Sequence, residues 1–391
     1  MHEVIVSGSG PSGSFAARLL AQRGLDVVLL EKEHHPRSKC CAGGLLLRAA
    51  RKLDFELPED IVERRISRLR LVSGGDAAEL RATGQFALTI RRERLDEFMA
   101  QKAKEAGAEL LEGVKALGVH QDATSVGVTT TAGEMCCRYF LVAEGATSQN
   151  ADRLFGRFDR KRVAVGGAMR MKLQEEPDDA MEVHLLPHRS RVHRTMPPTA
   201  AVFPHRGGAM VSLVGKGLDG ETIRAVLSEV GKEYSSRFGR AFDGAESCFH
   251  RLPLWIRPKL RNGRCLALGD SAGFVSPFSG EGLTHALESS RLAALAVVNA
   301  RAEGNAKNLA LYERTCWREI VRRMRATAIL GPVVRSVSRR IDVRELARAL
   351  DEDELLRDKL SGLLDGRSGA LEASAVMMAK FPRLMPRLNI R

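Results

Sequence analysis

The chain has 391 residues, of which 44% are hydrophobic and 28% are charged. This balance is typical of globular proteins and excludes a disordered or collagen-like chain, while the length fits two or three domains. The net charge of +13 would suit nucleic acid, an anionic membrane or phosphorylated ligands. Because aromatic residues make up only 5% and the sequence shows no helix-turn-helix or zinc motif, no nucleic-acid partner is predicted.

Cysteine content and hydropathy indicate the compartment. Seven cysteines are too few for a disulfide framework in a chain of this length, and their number is odd. No stretch approaches the ~18 apolar residues that span a membrane. The first residues enter a strand pattern directly, without the basic start and long apolar run of a signal peptide. We therefore expect a reducing, cytoplasmic setting, and no metal site is predicted.

The N-terminal region carries the clearest functional pattern. A strand, a helix and a second strand are predicted over residues 2–7, 14–23 and 25–30. Gly8, Gly10 and Gly13 follow the first strand and match G-x-G-x-x-G, and Glu31 ends the second strand. This context predicts a dinucleotide site, in which the glycines and the helix N-terminus approach a pyrophosphate and the carboxylate binds a ribose. The loop alone does not distinguish NAD from FAD.

A second glycine pattern, at residues 215–220, is not predicted to bind a nucleotide. It also lies between a strand-like run and a helix. However, Asp219 would place a carboxylate where a pyrophosphate should lie, and like charges repel. The next strand-like run, residues 246–252, ends without an acid for a ribose. We expect a strand-to-helix turn at this place.

The rest of the chain mixes strands and helices. Strand-like patterns dominate residues 66–90, 108–143 and 160–255, and a short strand is predicted at 264–268. Helices are predicted over residues 93–106, 220–238 and 281–300, and the chain is helical and rich in arginine from residue 305 onward.

Motifs along residues 1–300 together resemble the hydroxylase-like superfamily of FAD-dependent oxidoreductases. Besides the N-terminal loop, the sequence RCLALGDSAGF matches the second fingerprint of that superfamily with Gly269 and Asp270. The loop KCCAGGL at 39–45 and the segment AVFP at 201–204 are similar to the geranylgeranyl reductase family within it. The resemblance implies an α/β fold with a Rossmann-like FAD-binding domain.

The resemblance also implies a division into three parts. The FAD-binding domain is expected to be split over residues 1–68, 90–155 and 256–303. A mostly antiparallel β-sheet substrate domain, at residues 69–89 and 156–255, is inserted into it. Residues 304–391 would form a helical C-terminal part.

FAD is the implied cofactor, and each matching residue receives a role. Cys41 is the candidate catalytic residue, because a thiol beside the flavin can deliver a proton; the alternative is that cysteine is simply small enough to fit. The helix after Glu281 would direct its positive end at the flavin and stabilise negative charge on the reduced ring. The implied contacts are Gly8, Gly10, Gly13 and Ser14 at the pyrophosphate, Glu31 at the adenosine ribose, Cys41, Ala42 and Gly44 beside the flavin, Arg92 along the cofactor, Ala116 near the adenine, Asp270 at the ribityl or phosphate region, and Gly280, Gly282 and Leu283 at the flavin ring.

The implied reaction is reduction of carbon–carbon double bonds in a prenyl chain, as part of isoprenoid or lipid metabolism. The hydride would come from flavin N5, and the electrons from NAD(P)H or a ferredoxin. Two other functions stay open: a flavin monooxygenase that inserts oxygen, and a flavoprotein that carries electrons to a partner protein. Oxygen consumption with NAD(P)H would favour the first of these, and reoxidation only by a partner protein would favour the second.

An arginine-rich helix near residue 320 has two interpretations. It lies on the surface of an anionic membrane as a peripheral contact, or its apolar side packs on the FAD-binding domain and its arginines face water. Its arginines share one helix face at spacings of four, four and three: Arg314, Arg318, Arg322 and Arg325. Its apolar neighbours are Trp317, Ile320, Val321, Met324 and Ala328. More charge follows at Arg323, Arg335, Arg339 and Arg340.

Overall fold

The computed structural model describes residues 1–186, 199–239, 246–277, 279–325, 328, 342–365, 368 and 370–384. Its contacts divide the chain into two compact units. The first unit comprises Met1–Lys39, Arg92–Val163 and Arg251–Arg325. The second unit comprises Cys40–Arg91, Ala164–His250 and Ala326–Arg391.

Strands and helices alternate along the chain. The strands are β1 (His2–Ser7), β2 (Val27–Glu31), β3 (Gly44–Leu46), β4 (Val62–Ile66), β5 (Arg68–Ser73), β6 (Asp76–Arg81), β7 (Ala87–Ile90), β8 (Glu109–Glu112), β9 (Ala116–Gln121), β10 (Val126–Thr130), β11 (Gly133–Val142), β12 (Val163–Lys172), β13 (Ala180–Leu185), β14 (Thr199–His205), β15 (Gly208–Gly215), β16 (Ser247–Pro253), β17 (Arg261–Asn262) and β18 (Cys265–Ala267). The helices are α1 (Pro11–Ala21), α2 (Leu47–Ala50), α3 (Arg92–Glu105), α4 (Gln149–Phe155), α5 (Gly220–Ser235), α6 (Leu283–Ala302), α7 (Ala310–Cys316), α8 (Val343–Glu352), α9 (Glu354–Asp365) and α10 (Ala370–Leu384).

The first unit is built on a Rossmann-like sheet. Its strand order is β17-β18-β11-β1-β2-β8, and β18, β11, β1, β2 and β8 run parallel. The β9–β10 hairpin extends β11. Val4, Ile5 and Val6 of β1 are fully buried, as expected for a central parallel strand covered on both faces. Helix α1 packs against α3 and α6, so the predicted α/β class and the strand–helix–strand start are confirmed.

The second unit holds a seven-stranded sheet of order β16-β12-β15-β14-β13-β5-β6. Its β12–β15, β15–β14, β14–β13 and β5–β6 pairs are antiparallel, whereas β13 and β5 are parallel. Helix α5 covers one face, where Val202 and Val211 pack with Ile223 and Leu227. Helices α8, α9 and α10 form a separate apolar cluster with β6. A three-stranded antiparallel sheet of order β3-β7-β4 completes the unit.

The apolar side of the arginine-rich helix packs into the first unit. Helix α7 continues as a π-helical turn over Trp317–Val321, and Ile320, Val321 and Met324 lie in the hydrophobic core. Arg318 on the opposite side is 71% exposed. Of the two interpretations of this helix, the structure therefore shows the packed apolar side. The predicted continuation at Arg335, Arg339 and Arg340 lies outside the described residues.

No helix in the described part of the chain is long and apolar enough to cross a membrane.

The second glycine pattern forms a helix start. β15 ends at Gly215, and Asp219 is the N-cap of α5, where its carboxylate accepts a hydrogen bond from the Thr222 N–H at 2.7 Å. The carboxylate already satisfies the N-terminus of this helix. The expected strand-to-helix turn is confirmed.

Candidate functional site

Two glycines of the N-terminal loop are required by the protein itself. Gly8 follows β1 with a φ of +100°, which L side chains rarely adopt, and a Cβ there would collide with the carbonyl oxygen of Ala143. A Cβ at Gly13 would collide with the carbonyl oxygen of Gly8. Ser14 is buried beside this turn and donates its hydroxyl to the carbonyl oxygen of Ser9 at 2.8 Å. The loop can therefore hold this tight turn only with small residues.

Gly10 is different, because nothing in the protein demands a glycine there. It is the N-cap of α1 with an ordinary φ of −68°, and no side chain caps the helix. A Cβ at Gly10 would meet only the flexible end of Arg37, at 3.6 Å. Uncapped helix N–H groups beside an open glycine form a cradle for an anion such as a pyrophosphate. The loop fits the dinucleotide that the sequence predicts.

Glu31 lies at the end of β2 with its carboxylate ionised. Its oxygens accept hydrogen bonds from the Ser9 N–H at 3.0 Å and the Ser9 hydroxyl at 2.7 Å. The Arg37 guanidinium lies 3.2 Å away. Burial alone would raise the pKa of Glu31, but Arg37 and the two Ser9 bonds outweigh it and hold the pKa below its ordinary value. A charged carboxylate that Ser9 ties to the glycine loop suits the predicted ribose contact.

Arg37 connects this carboxylate to helix α3, a contact that sequence reasoning missed. Its guanidinium lies 3.2 Å from Glu31 and 3.2 Å from Asp96, which is completely buried. Asp96 also pairs with Arg92, the first residue of α3, at 3.0 Å. The predicted cofactor contact Arg92 is therefore fixed within its own helix and belongs to the network that orients Arg37. The only sequence signal for Arg37 was its place in the loop after Glu31.

The second fingerprint meets the start of helix α6. Asp270 lies in a 3₁₀ turn after β18, and a Cβ at Gly282 would come within 3.1 Å of its carboxylate oxygen. Gly282 is the N-cap of α6 without a side-chain cap, and Leu283 is the first residue of that helix. Gly280 precedes it with a φ of +70°. The structure thus brings these four predicted residues together at one helix N-terminus.

Helix α6 also packs onto the glycine loop. The Ser290 hydroxyl donates to the carbonyl oxygen of Ser12 at 2.7 Å, and a Cβ at Gly269 would lie 2.8 Å from the Ser12 hydroxyl. Because Ser12 belongs to the first turn of α1, the two fingerprints are neighbours in the fold. Two uncapped helix starts therefore belong to one site within the first unit.

Ala116, predicted near the adenine, begins β9 in the same unit. Its carbonyl oxygen accepts a hydrogen bond from Asn150 at 3.0 Å, and Asn150 also bonds to Glu144 at 2.8 Å. Two residues earlier, the Val114 N–H donates to the carbonyl oxygen of Glu31 at 2.8 Å. The chain before Ala116 is therefore held against the end of β2.

The remaining predicted residues, Cys41, Ala42 and Gly44, belong to the second unit. The Cys41 thiol is half-buried, and its sulfur accepts a hydrogen bond from the Gly43 N–H at 3.4 Å. A Cβ at Gly44 would lie 2.6 Å from the Phe203 ring. The loop is therefore packed closely against β14, which explains its small residues without reference to a cofactor.

Cys40 forms a disulfide with Cys248 on β16, and the two Cα atoms are 5.5 Å apart. This finding corrects the expectation that the cysteines are unpaired. The two residues are separated by 208 positions, and an odd total of seven cysteines gave no sign of the pairing. Five other cysteines, Cys41 among them, are free.

Comparison with known proteins supports the same assignment. The family model described as an FAD binding domain matches residues 1–327. Menaquinone reductase of Mycobacterium tuberculosis is 29% identical over 310 residues, 75% of this chain and 75% of that protein. The chloroplastic geranylgeranyl diphosphate reductase of Oryza sativa is 28% identical over 347 residues, 80% of this chain and 72% of that protein.

A solved structure shares the fold over nearly the whole chain. It is a geranylgeranyl bacteriochlorophyll reductase-like protein from Thermoplasma acidophilum, with a TM-score of 0.80 and 18% sequence identity over 98% of this chain and 97% of that one. The resemblance stated from the motifs is confirmed. The family match covers most of the chain, and its FAD loop has the geometry described above. The chain therefore belongs to the FAD binding domain family and is an FAD-dependent oxidoreductase.

Proposed function

We propose that the chain uses FAD to reduce carbon–carbon double bonds in the prenyl chain of its substrate. The observation that carries the proposal is the similarity to two reductases, one named for geranylgeranyl diphosphate and one for menaquinone. These two compounds have different head groups, but both carry a polyprenyl chain. Chemistry on the shared part explains why one sequence is similar to both enzymes.

The first unit is the proposed FAD-binding part. When bound, FAD supplies the hydride that adds to one carbon of the double bond. The uncapped start of α1 at Gly10 would hold the pyrophosphate, and the Glu31 carboxylate would accept the ribose hydroxyls. The start of α6 at Gly282 would stabilise negative charge on the flavin ring. The Cys41 thiol would hold the proton for the second carbon.

The second unit is the proposed substrate-binding part. Ala201 on β14 pairs with Ser212 on β15 and Val183 on β13, and all three side chains are half-buried. They lie on the sheet face opposite to α5, because the alternating neighbours Val202 and Val211 pack with that helix. Short, mostly apolar side chains make a surface along which a flexible hydrocarbon chain can lie.

A reduction assay tests the proposal. Purified protein, reduced with dithionite under argon and mixed with geranylgeranyl diphosphate or menaquinone, should yield products heavier by two hydrogens per reduced bond. Mass spectrometry of the extracted lipid gives the count. If neither lipid changes mass but NAD(P)H oxidation consumes oxygen, the protein is a monooxygenase. If the reduced flavin is reoxidised only by a partner protein, it is an electron carrier.

We further propose that the arginine face of α7 and its continuation contacts anionic lipid by charge alone. The apolar side is buried in the core, so it is not free to enter the bilayer. Arg318 and Arg322 are exposed, and each could contribute ~1 kcal/mol near an anionic surface. Such a contact would bring the enzyme to a substrate that resides in a membrane.

Vesicle flotation is the measurement for this contact. Wild-type protein should float with phosphatidylserine-containing vesicles at low salt and dissociate at high salt. The variant R318E/R322E should lose most of the binding, whereas R23E/R94E, with the same change in net charge, should keep it. Equal flotation of both variants, or no flotation of the wild type, would contradict the proposal.

A further inference from the structure

His205 holds the loop that carries Cys41. It is the last residue of β14 and is 7% exposed, and its Nε2 lies 3.2 Å from the carbonyl oxygen of Ala42. A carbonyl oxygen only accepts hydrogen bonds, so Nε2 must carry the proton. Ala42 directly follows Cys41, and this hydrogen bond therefore fixes the peptide next to the thiol.

A buried carboxylate in turn holds the strand end at His205. Glu63 accepts a hydrogen bond from the Arg206 N–H at 3.0 Å and pairs with Arg91 at 2.7 Å. Its nearer oxygen is 3.9 Å from Nδ1 of His205. Burial lowers the pKa of His205, with the cations Arg170 and Arg91 adding to the effect, although Ala42 and Glu63 oppose it.

The loop has little room for another arrangement around this bond. A Cβ at Gly43, which has a φ of +82°, would collide with the carbonyl oxygen of Ile90 and approach His205 to 3.1 Å. The Ile90 N–H donates to the carbonyl oxygen of Gly43 at 2.8 Å. Two contacts, one with β7 and one with the end of β14, thus hold consecutive residues after Cys41.

We propose that His205 is a positioning residue, which fixes the thiol of Cys41 through its hydrogen bond to the Ala42 carbonyl. This inference rests on the proposed function, in which Cys41 holds the proton for reduction. Its structural part, that His205 restricts Cys41, stands independently of the reaction. Sequence reasoning did not find His205, because 163 residues separate it from Ala42.

Two kinds of variant separate positioning from a general effect on stability. In H205Q the side-chain amide can still donate to the Ala42 carbonyl, whereas H205L removes the donor. H205N serves as a second loss variant if H205L does not fold, since its shorter amide does not reach the carbonyl. H120L, a change at an exposed histidine of β9, is the control.

Alkylation of Cys41 by iodoacetamide, followed by peptide mass spectrometry without any substrate, is the first measurement. Cys41 should react roughly fivefold faster in H205L, which corresponds to about 1 kcal/mol, and at the wild-type rate in H205Q and H120L. Half-buried Cys136 in the same sample is the internal reference. Unchanged Cys41 labelling in both loss variants would overturn the proposal.

Turnover with the prenyl lipid is the second measurement. The kcat of H205L should fall about tenfold, with KM and FAD content unchanged, and H205Q should restore most of it. If Cys41 labelling changes as expected but no variant, the wild type included, reduces either lipid, the proposed function fails and the positioning role stands. If the wild type reduces lipid and H205L retains full kcat, the role of His205 in the reaction is wrong.

Discussion

Replacement of Gly10 by alanine is expected to abolish FAD binding and to leave the fold intact. The new Cβ would meet only the end of Arg37 at 3.6 Å, an ordinary contact, and the backbone of Gly10 is not strained. The same methyl group would stand where a pyrophosphate must approach the N-terminus of α1. We expect G10A to be purified without yellow colour and to bind FAD at least about 100-fold more weakly, a loss of ~3 kcal/mol.

Two further variants make this result specific. G13A should lose FAD and also stability, because its Cβ collides with the carbonyl oxygen of Gly8. G84A changes an open glycine in the second unit and should affect neither property. Flavin fluorescence titration gives the affinity, and circular dichroism during heating gives the stability. A G10A protein that stays yellow with wild-type affinity would refute the assigned pyrophosphate position.

The N-terminal half of the FAD site could be predicted because its determinants are local. Gly8 and Glu31 lie 23 residues apart within one strand–helix–strand unit, and their chemistry depends on spacing along the chain. The predicted helix start at residue 14 was three residues late, because Pro11 occupies the first turn of α1. Proline suits that position, since its missing N–H would have no partner inside the helix.

Contacts between distant segments were beyond the sequence analysis. Arg37 reaches Asp96, and His205 reaches Ala42, across 59 and 163 residues of chain. Parallel pairing of β13 with β5 likewise joins segments that no local pattern connects. Hydrophobic periodicity identifies which residues are buried, but it does not say which buried polar groups will meet. The residues that orient the predicted site were therefore missed, while those expected to touch the cofactor were found.

The apolar stripe of the arginine-rich helix shows a different limit. Its spacing predicts one buried face, and Ile320 and Met324 are indeed buried. The sequence does not tell whether protein or lipid covers that face, because both are apolar. Tyr312 resolves the question for this segment, since it is fully buried and donates its hydroxyl to the carbonyl oxygen of Ala267 in the FAD-binding unit.

Loss of the Cys40–Cys248 disulfide is expected to destabilise the second unit strongly. The bond closes a loop between residues 208 positions apart, and a cross-link of this span restricts the unfolded chain by about 4 kcal/mol. C248S should therefore unfold at clearly lower urea concentration than the wild type. Reduction of the wild type with dithiothreitol should produce the same shift, because both treatments remove one covalent link.

The pattern across variants identifies the bond. Dithiothreitol should not shift C248S or C40S any further, whereas C41S should respond to it as the wild type does, since Cys41 is free. Unreduced, denatured wild-type protein should show five reactive thiols, rising to seven after reduction. Seven thiols before reduction would show that the bond is not formed. Equal urea midpoints for C248S and oxidised wild type would show that the bond contributes nothing to stability. Because Cys40 directly precedes Cys41, a reduced bond should also free one end of the thiol-bearing loop and speed Cys41 alkylation in C248S.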